Sequence, residues 1–521
     1  MTARRPCPPA PGPREDYATQ FDPLLVSVAQ RRGLRDYLQG LLLPRDRNKT
    51  LTALADAEPV LGAQHREVQR LQWFLSESSW DHEAVNQQRI ELLCADAATA
   101  PHAQGVLVID DTGDRKDGSA TAHVARQYLG SVGKTDNGIV AVTSLWADAR
   151  CYWPLHAVPY TPASRLPKGK SDPGFRTKPQ LAAELVSAAQ QARIPFRAVV
   201  ADCFYGDNTG FVEALGRAGV AFVLALKPRK GIWAPDDAAH TPVEAARELG
   251  WGGPRRPGPW RRVVRRFRDG HTETWWAADA RLGGWGPDRH HRLVVATTDP
   301  ARLPKGSTWY LLTNLARPAS RRAQQAQLAE IVGAYGLRNW VEQGYKQVKD
   351  ELGWADFQVR SDRAIRRHWT LVCLAFSFCW HAGQAQAVTP DAGPAPPATA
   401  PRTVQVAARG ARQRLDPDRR HRTGGRHRGV VAAGTAAGAR LAGPVGVATA
   451  LLAWRGRPAR RPCRCSRRLT GSEPEGRSTS TYRPNQQTTA IELFISWIAF
   501  VWSGMPRFGY VENQAVRPPG S

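Results

Sequence analysis

The spacing of hydrophobic and polar positions changes several times along this chain. Between residues 15 and 103, apolar residues recur every three or four positions, which predicts a series of amphipathic helices. The basic stretch PRDRNKT, Pro44 to Thr50, separates two of these helices. A small helical DNA-binding module and a helical cap on a catalytic domain both fit this pattern. Residues 1 to 14 are Pro-rich without an apolar core, and we expect them to be disordered.

From residue 104 to 228, short apolar runs alternate with helical segments. Strands are predicted at GVLVID, at FRAVVADC, at VAFVLALKP, and twice within GIVAVTSLWADARCYWPLHAVPY. Helical spacing fills the segments KPQLAAELVSAAQQARI and NTGFVEALGRAG. The resulting order is β-β-β-α-β-α-β. It predicts an α/β fold in which a three-stranded meander and two crossover units form a mixed sheet with helices packed on it.

The helical pattern fails between residues 229 and 318, where Gly, Pro and Trp are dense. This segment is typical of a β-rich insertion with basic loops that carry aromatic residues. Helical spacing resumes over residues 319 to 380. Within that range, the stretch YGLRNWVEQGYKQVKDELG predicts one amphipathic helix from Tyr335 to Gly353.

The composition changes abruptly after residue 380. Residues 381 to 521 contain 21 Arg and 7 acidic residues but no Lys, whereas all 11 Lys lie earlier. A disordered basic tail that holds DNA is one interpretation of this low-complexity Arg/Ala/Gly/Pro segment. The other is a frame-shifted continuation, which we favour because abundant Arg without Lys is typical of GC-rich codons read out of frame.

The net charge of +26 suggests a polyanionic partner, most simply nucleic acid, although a GC-rich genome also increases the number of Arg residues. The eight cysteines form no CxxC pair and no zinc-type spacing, which favours reduced thiols in a cytoplasmic protein. The N-terminus does not resemble a secretory signal. No apolar run reaches the roughly 20 residues needed to span a bilayer, so we expect no membrane association.

Three carboxylates are candidates for a metal site. Asp110 and Asp202 each follow an apolar strand, and the carboxyl ends of neighbouring strands form the crevice where chemistry collects in open sheets. Glu342 lies on the predicted helix. At about 100° per residue, its face of that helix is shared with Tyr335, Arg338, Lys346 and Lys349, beside a separate apolar stripe. Ordinary surface ion pairing would explain Glu342 alone, but its combination with two strand-end aspartates favours a metal cage.

These residues carry a resemblance to a known family. The spacing Tyr335-x2-Arg338-x3-Glu342-x6-Lys349 matches the signature of a large group of bacterial insertion-sequence transposases of the DDE type. The segments VIDDTG, VVADCFYG and RQYLGSVGKTDNGIV are similar to those that flank the first two aspartates of that family. The resemblance extends over roughly residues 20 to 380. It implies an RNase H-like core interrupted by a β-rich insertion.

The resemblance also implies a mechanism. Asp110, Asp202 and Glu342 would be the catalytic residues and would bind two Mg²⁺ ions, for which Mn²⁺ can substitute. The expected partner is double-stranded DNA, at terminal inverted repeats and at a target, bound by a homodimer near the bacterial nucleoid. The implied DNA-binding residues are Tyr335, Arg338, Lys346 and Lys349.

The first carboxylate is ambiguous because Asp110 and Asp111 are adjacent. Successive strand residues point to opposite faces of a sheet, so only one of them can enter the site. The family motif commonly reads Asp-x-Thr, which selects Asp110 with Thr112 and leaves Asp111 as the alternative.

The insertion supports two further hypotheses about DNA contact. Trp275, Trp276 or Trp285 could stack on a flipped base, although packing in a sheet core is the more ordinary role for each. The basic run Arg261 to Arg268 is interpreted as a phosphate-contacting strand rather than a solvated edge. Two other functions stay open: a degenerate transposase that binds terminal repeats without completing transposition, and another RNase H-like DNA nuclease such as a junction resolvase.

Overall fold

Ten strands among the described residues form one sheet, and most of them contain β-branched or aromatic residues. The computed structural model describes residues 12–44, 46–267 and 271–388, with side chains up to residue 382. The strands are β1 (Val106–Arg115), β2 (Ala125–Leu129), β3 (Lys134–Ala147), β4 (Tyr152–Tyr160), β5 (Ala198–Ala201), β6 (Phe222–Ala225), β7 (Arg261–Arg266), β8 (Thr272–Ala280), β9 (Arg292–Thr297) and β10 (Thr308–Thr313).

The sheet is mixed, with the order β2-β3-β1-β5-β6-β10-β9-β8-β7 and with β4 also paired to β3. Strand β1 is antiparallel to β3 on one side and parallel to β5 on the other, and β5 is parallel to β6. Strands β5 and β6 therefore end at the same edge, which we call the carboxyl edge. Strand β1 passes this edge, because its pairing with β5 stops at Ile109 while its pairing with β3 continues to Arg115.

Helices cover both faces of the sheet and form most of the N-terminal region. Their first turns are stabilised by capping side chains such as Ser27, whose hydroxyl accepts a hydrogen bond from the Gln30 amide. The helices are α1 (Pro13–Thr19), α2 (Val28–Leu42), α3 (Leu51–Leu54), α4 (Arg66–Ser76), α5 (His82–Ala95), α6 (Lys178–Gln191), α7 (Cys203–Gly206), α8 (Thr209–Arg217), α9 (Pro242–Arg247), α10 (Arg321–Gly336), α11 (Asn339–Asp350) and α12 (Asp362–Val388).

The mixed α/β sheet and the helical N-terminal region predicted from the sequence are confirmed. Strand β2 was not predicted, because ARQYL is short and alternates polar with apolar residues. Strands β7 to β10 extend the same sheet, since β10 pairs with β6. Helix α12 continues to Val388. The predictions for residues 1 to 11 and 389 to 521 lie outside the described residues.

The N-terminal helices pack around α12 rather than forming a separate core. Helices α1, α2, α4 and α5 all contact α12, and their buried side chains belong to the same hydrophobic cluster as those of the sheet. Of the helices that the structure describes, none is both long and apolar enough to cross a membrane.

A buried histidine joins α12 to α2. His368 is fully buried, with Nδ1 2.8 Å from the Tyr37 hydroxyl and Nε2 3.1 Å from the Gly353 carbonyl oxygen. A neutral ring with its proton on Nε2 satisfies both contacts, because the Tyr37 hydroxyl then donates to Nδ1. Burial lowers the pKa of His368 to about 3.

Acid will therefore destabilise the protein through this residue. Unfolding restores a pKa of roughly 6.5, so the stabilisation is complete above that pH and is lost as the pH falls towards about 3. We expect His368 to account for about 2 kcal/mol of the stability lost between pH 6.5 and 5. Urea unfolding of wild type and His368→Gln at both pH values tests this. An equal loss of stability in the two proteins would show that folding does not lower the pKa of His368.

Candidate active site

The two strand-end aspartates lie side by side at the carboxyl edge. Ile109 of β1 is in register with Ala201 of β5, so Asp110 and Asp202 are the next residues on two adjacent parallel strands. Asp202 also begins α7, where its Oδ1 accepts a hydrogen bond of 3.0 Å from the Phe204 amide. The order of apolar strand and terminal aspartate in the sequence is therefore sufficient to bring these two carboxylates together.

Burial disfavours negative charge at this position. It raises the pKa of Asp110 to about 7; the Arg338 guanidinium opposes this shift, while the nearby Asp202 and Asp111 carboxylates add to it. The pKa of Asp202 is raised as well, first by burial and also by Asp111, again against the effect of Arg338. Burial and mutual repulsion therefore both disfavour the ionised forms of these neighbouring carboxyl groups. A bound cation would stabilise the ionised forms.

The stretch predicted as one helix is two. Helix α10 ends at Gly336 and α11 begins at Asn339, with Leu337 and Arg338 in a turn between them. Tyr335 therefore belongs to α10, and the prediction of one continuous helix from Tyr335 to Gly353 was wrong. Tyr335 nevertheless lies near Arg338, Asp110 and Asp202, whose charges act on its hydroxyl. Gly336 and Asn339, which flank this turn, are weak helix formers and favour an interruption here.

The turn places Arg338 between two carboxylates. Its Nη2 lies 3.0 Å from Asp110 Oδ2, and its Nη1 lies 2.9 Å from Glu342 Oε1. The Arg338 side chain is only 16% exposed, whereas the Glu342 side chain is 43% exposed and sits on the rim. The structure thus joins the first and third predicted carboxylates through a shared guanidinium.

The other predicted DNA-binding residues have different environments. Lys349 is held inside, with Nζ 2.6 Å from Asp114 Oδ1 and 3.2 Å from the Gly113 carbonyl oxygen. Lys346 is exposed on α11. Tyr335 packs edge-on against Trp309, with 4.9 Å between ring centroids, and burial raises the pKa of its hydroxyl.

Asp111 has its own partners on the opposite face of the sheet. Its Oδ2 lies 2.8 Å from Lys178 Nζ, and its Oδ1 accepts a hydrogen bond of 3.2 Å from the Tyr205 hydroxyl. Sequence reasoning missed both partners. The sequence did contain a sign that Lys178 has an acidic partner. This lysine occupies the first turn of α6, where the helix dipole disfavours a positive charge.

Tyr345 is a second residue that sequence reasoning missed. It lies on α11 one turn after Glu342, and its hydroxyl hydrogen-bonds to Thr143 Oγ1 on β3. Thr143 stands directly opposite Asp110 in the β1–β3 pairing. This contact fixes α11 over the strand that carries the first aspartate.

The three carboxylates that were predicted to bind a metal together are not grouped in the structure. Across residues 12–44, 46–267 and 271–388, no three His, Cys, Asp or Glu side chains are grouped closely enough to hold a metal ion. Asp110 and Glu342 instead share Arg338 as their counter-ion.

Comparison with known proteins decides the family. Residues 20–282 match the family model described as DDE superfamily endonuclease, a span that includes Asp110 and Asp202 and ends before Glu342. A probable transposase for insertion sequence element IS701 from Microchaete diplosiphon is 32% identical over 360 residues, which cover 69% of this chain and 85% of that protein. The chain belongs to the DDE endonuclease superfamily. The resemblance described from the sequence is thereby confirmed.

A solved structure is also similar to this DDE endonuclease over much of its length. The cryo-EM structure of the piggyBac transposase synaptic complex with hairpin DNA matches with a TM-score of 0.35 and 11% identity, covering 74% of this chain and 70% of that chain.

The tryptophans of the DDE endonuclease insertion differ in accessibility. Trp275 is 3% exposed and packs on Trp309 with ring centroids 4.3 Å apart. Trp276 is half-buried and meets Trp251 edge-on, and Trp285 is half-buried near Lys230. The buried position of Trp275 favours the sheet-core role for this residue.

The basic run of the insertion is an edge strand. Arg261 to Arg266 form β7, which pairs only with β8 among the described strands. The Arg265 guanidinium lies over the rings of Trp275 and Trp309, at 4.9 and 4.6 Å from their centroids. Arg262 and Arg266 are exposed. Phosphate contact by the run from Arg261 to Arg268 stays a prediction, and Arg268 lies outside the described residues.

Proposed function

We propose that this DDE endonuclease is a transposase that cleaves and rejoins DNA at the ends of an insertion sequence. The observation that carries the proposal is the shared contact of Arg338 with Asp110 and Glu342, beside Asp202 at the carboxyl edge. The homologous IS701 protein, named as a probable transposase, supports the same activity.

The central strands fit an RNase H-like core. Strands β1, β3 and β4 form an antiparallel meander, and β5 and β6 then add parallel to β1 through helical connections. Strands β7 to β10 would be an insertion between β6 and the helices that carry Arg338 and Glu342. The insertion would then add four strands to the sheet beyond β6, on the side opposite β3.

The donor set fits a divalent cation. Asp110, Asp202 and Glu342 offer only carboxylate oxygens, which suit Mg²⁺, with Mn²⁺ as a substitute. The raised pKa values of Asp110 and Asp202 reflect buried negative charge that such a cation would stabilise. When bound, the cation would polarise the phosphodiester and activate the attacking water or 3′-hydroxyl.

The protein side chains would then bind and orient the strand. Arg338 holds Asp110 and Glu342 before DNA arrives, and its planar guanidinium can transfer to a phosphate through paired hydrogen bonds. Lys346 is already exposed for such a contact, whereas Lys349 must leave Asp114 to make one. Tyr335, packed on Trp309, is suited to a hydrogen bond at the cleft rather than to nucleophilic attack.

The expected partner is double-stranded DNA, at the terminal repeats and at the target. Joining two ends of one element requires two active sites, so we propose a homodimer on DNA. A degenerate copy that binds the repeats without cutting them is the alternative that the same residues allow.

The test uses purified protein and a plasmid that carries the gene's flanking DNA ends. We expect nicks at the element ends in Mg²⁺ or Mn²⁺ and none with EDTA or with Glu342→Gln. Cleavage that persists in Glu342→Gln would remove this residue from the site. If the wild-type protein binds the ends but does not cleave them, it is the degenerate copy described above.

A further inference from the structure

The β2–β3 hairpin projects beyond the carboxyl edge. Strand β3 pairs with β1 over Gly138 to Ala147, and its first residues, Lys134 to Gly138, pair with β2. No strand on the β5 side of β1 reaches this far, because the β1–β5 pairing stops at Ile109. The hairpin is therefore an outward extension of the strands that carry Asp110.

One face of this hairpin continues the face that bears Asp110. Thr143 stands opposite Asp110, and successive odd-numbered residues of β3 lie on the same face down to Thr135. Thr135 pairs with Tyr128, and Asn137 pairs with Arg126. Arg126 and Tyr128 thus lie on the Asp110 side of the sheet.

This face is exposed and carries positive charge. The Tyr128 side chain is 58% exposed, although it is a large aromatic group, and Arg126 is exposed as well. Within the described residues, Arg126 has no acidic partner, and the four facing positions of the hairpin include no carboxylate. Arg, Tyr and Thr are residue types that donate to phosphate and sugar oxygens. The fourth facing residue, Asn137, instead donates to the Lys116 and Gly118 carbonyl oxygens.

The hairpin is held firmly to the rest of the sheet. On its other face, Leu129 is fully buried and packs against Gly113 and Gly138, where an added Cβ would lie 2.9 and 2.7 Å from the Leu129 methyl carbons. The Ser131 hydroxyl donates to the Gly113 carbonyl oxygen at 2.6 Å. A ligand on the exposed face would therefore meet an ordered surface.

Helix α11 leads from the active site towards the hairpin. Its beginning lies at Asp110 through Arg338, and its end lies at Asp114 through Lys349, so it runs outward along β1. Lys346 is exposed along this path. Eight residues separate Thr143 from Thr135, about 27 Å at about 3.4 Å per residue. That length corresponds to about eight base pairs of duplex.

We propose that the exposed face of the β2–β3 hairpin, built from Arg126 and Tyr128, binds the backbone of duplex DNA about eight base pairs from the cleaved bond. The inference rests on the proposed function and adds to it a second contact on one flank of the cut. The positive charge and its continuity with the Asp110 face favour DNA over a second copy of the chain at this edge strand.

The experiment compares duplexes that contain a mapped cleavage site. One set has about 20 base pairs on both flanks, and two others are shortened to about 5 base pairs on one flank or the other. We expect Arg126→Ala/Tyr128→Ala to weaken binding of the long duplex about 10-fold and to lower its salt dependence by about one phosphate contact. Shortening one particular flank should remove the difference between variant and wild type.

Controls separate this inference from the function on which it rests. Arg217→Ala, an exposed arginine at the end of α8 on the opposite edge, should bind all duplexes as wild type does. A double variant with wild-type affinity for the long duplex, or an equal loss on every duplex, would overturn the hairpin contact. A change in oligomeric state by light scattering without a length effect would assign the face to a second copy. Wild-type protein that binds none of the duplexes would instead remove the proposed function.

Discussion

Replacing Asp110 with Asn is expected to reduce cleavage at the element ends by at least about 10²- to 10³-fold, the scale set by losing one preorganised electrostatic group. Asp110 is 8% exposed, lies beside Asp202 and contacts Arg338, and these positions support our proposal that it binds the cation. The amide keeps the size of the side chain but loses the negative charge that would hold a metal.

The fold should tolerate this change. Burial raises the pKa of Asp110 to about 7, so a neutral side chain costs little at this position, and Arg338 keeps Glu342 as a partner. Circular dichroism and thermal unfolding of Asp110→Asn should match wild type. Loss of cleavage in a folded variant would then report chemistry rather than misfolding.

Asp111→Asn is the matched control, because it changes the adjacent residue in the same way. Its carboxylate contacts Lys178 and Tyr205, and we expect cleavage within about 10-fold of wild type after the loss of an ordinary ion pair. Single-turnover cleavage of one duplex by both variants tests the choice between them. An inactive Asp111→Asn together with an active Asp110→Asn would reverse the assignment.

Replacing Arg292 with Leu is expected to destabilise the protein by about 3–5 kcal/mol, the usual cost of breaking a buried ion pair. Arg292 on β9 is fully buried, and its guanidinium pairs with Asp279 of β8 at 2.8 Å. It also donates to the Leu315 carbonyl oxygen at 2.7 Å and to Gln327 Oε1 of α10 at 2.6 Å. Loss of these bonds leaves Asp279 buried and the strands less firmly joined to α10.

Arg317→Leu is the control for Arg292→Leu, because it also removes a positive charge that pairs with Asp279 but does so at a partly exposed position. Arg317 also contacts Asp279, at 3.2 Å, but its side chain is 39% exposed. We expect a cost of about 1 kcal/mol or less for this partly solvated pair. Urea unfolding followed by tryptophan fluorescence measures both variants. Similar midpoints for the two would show that the buried bonds of Arg292 add nothing beyond the ion pair.

The strand-end aspartates could be predicted because their position depends only on local pattern. An apolar run followed by Asp indicates a strand that ends at a crevice, and the register of Ile109 with Ala201 places both carboxylates there. The signature spacing pointed to Glu342 and Arg338, which contact each other in the structure. Hydrophobic periodicity likewise predicted a mixed sheet and a helical N-terminal region.

The break at Leu337 and Arg338 was not predicted, although two weak helix formers, Gly336 and Asn339, flank it. Local pattern could not show that Arg338 contacts Asp110, a residue 228 positions earlier. The partners of Asp111 are also distant in sequence, 67 positions away for Lys178 and 94 for Tyr205. Pairing of this kind depends on how α6 and α7 pack, which local periodicity does not encode.

The core shared by the first and last helices also has a consequence for synthesis on the ribosome. Helices α1, α2, α4 and α5 are complete by residue 95, but α12, against which they pack, has its last described side chain at residue 382. At about 5–20 residues per second, the early helices wait roughly 15 to 60 seconds for their partner. During this time, the apolar faces that later contact α12 are available to chaperones.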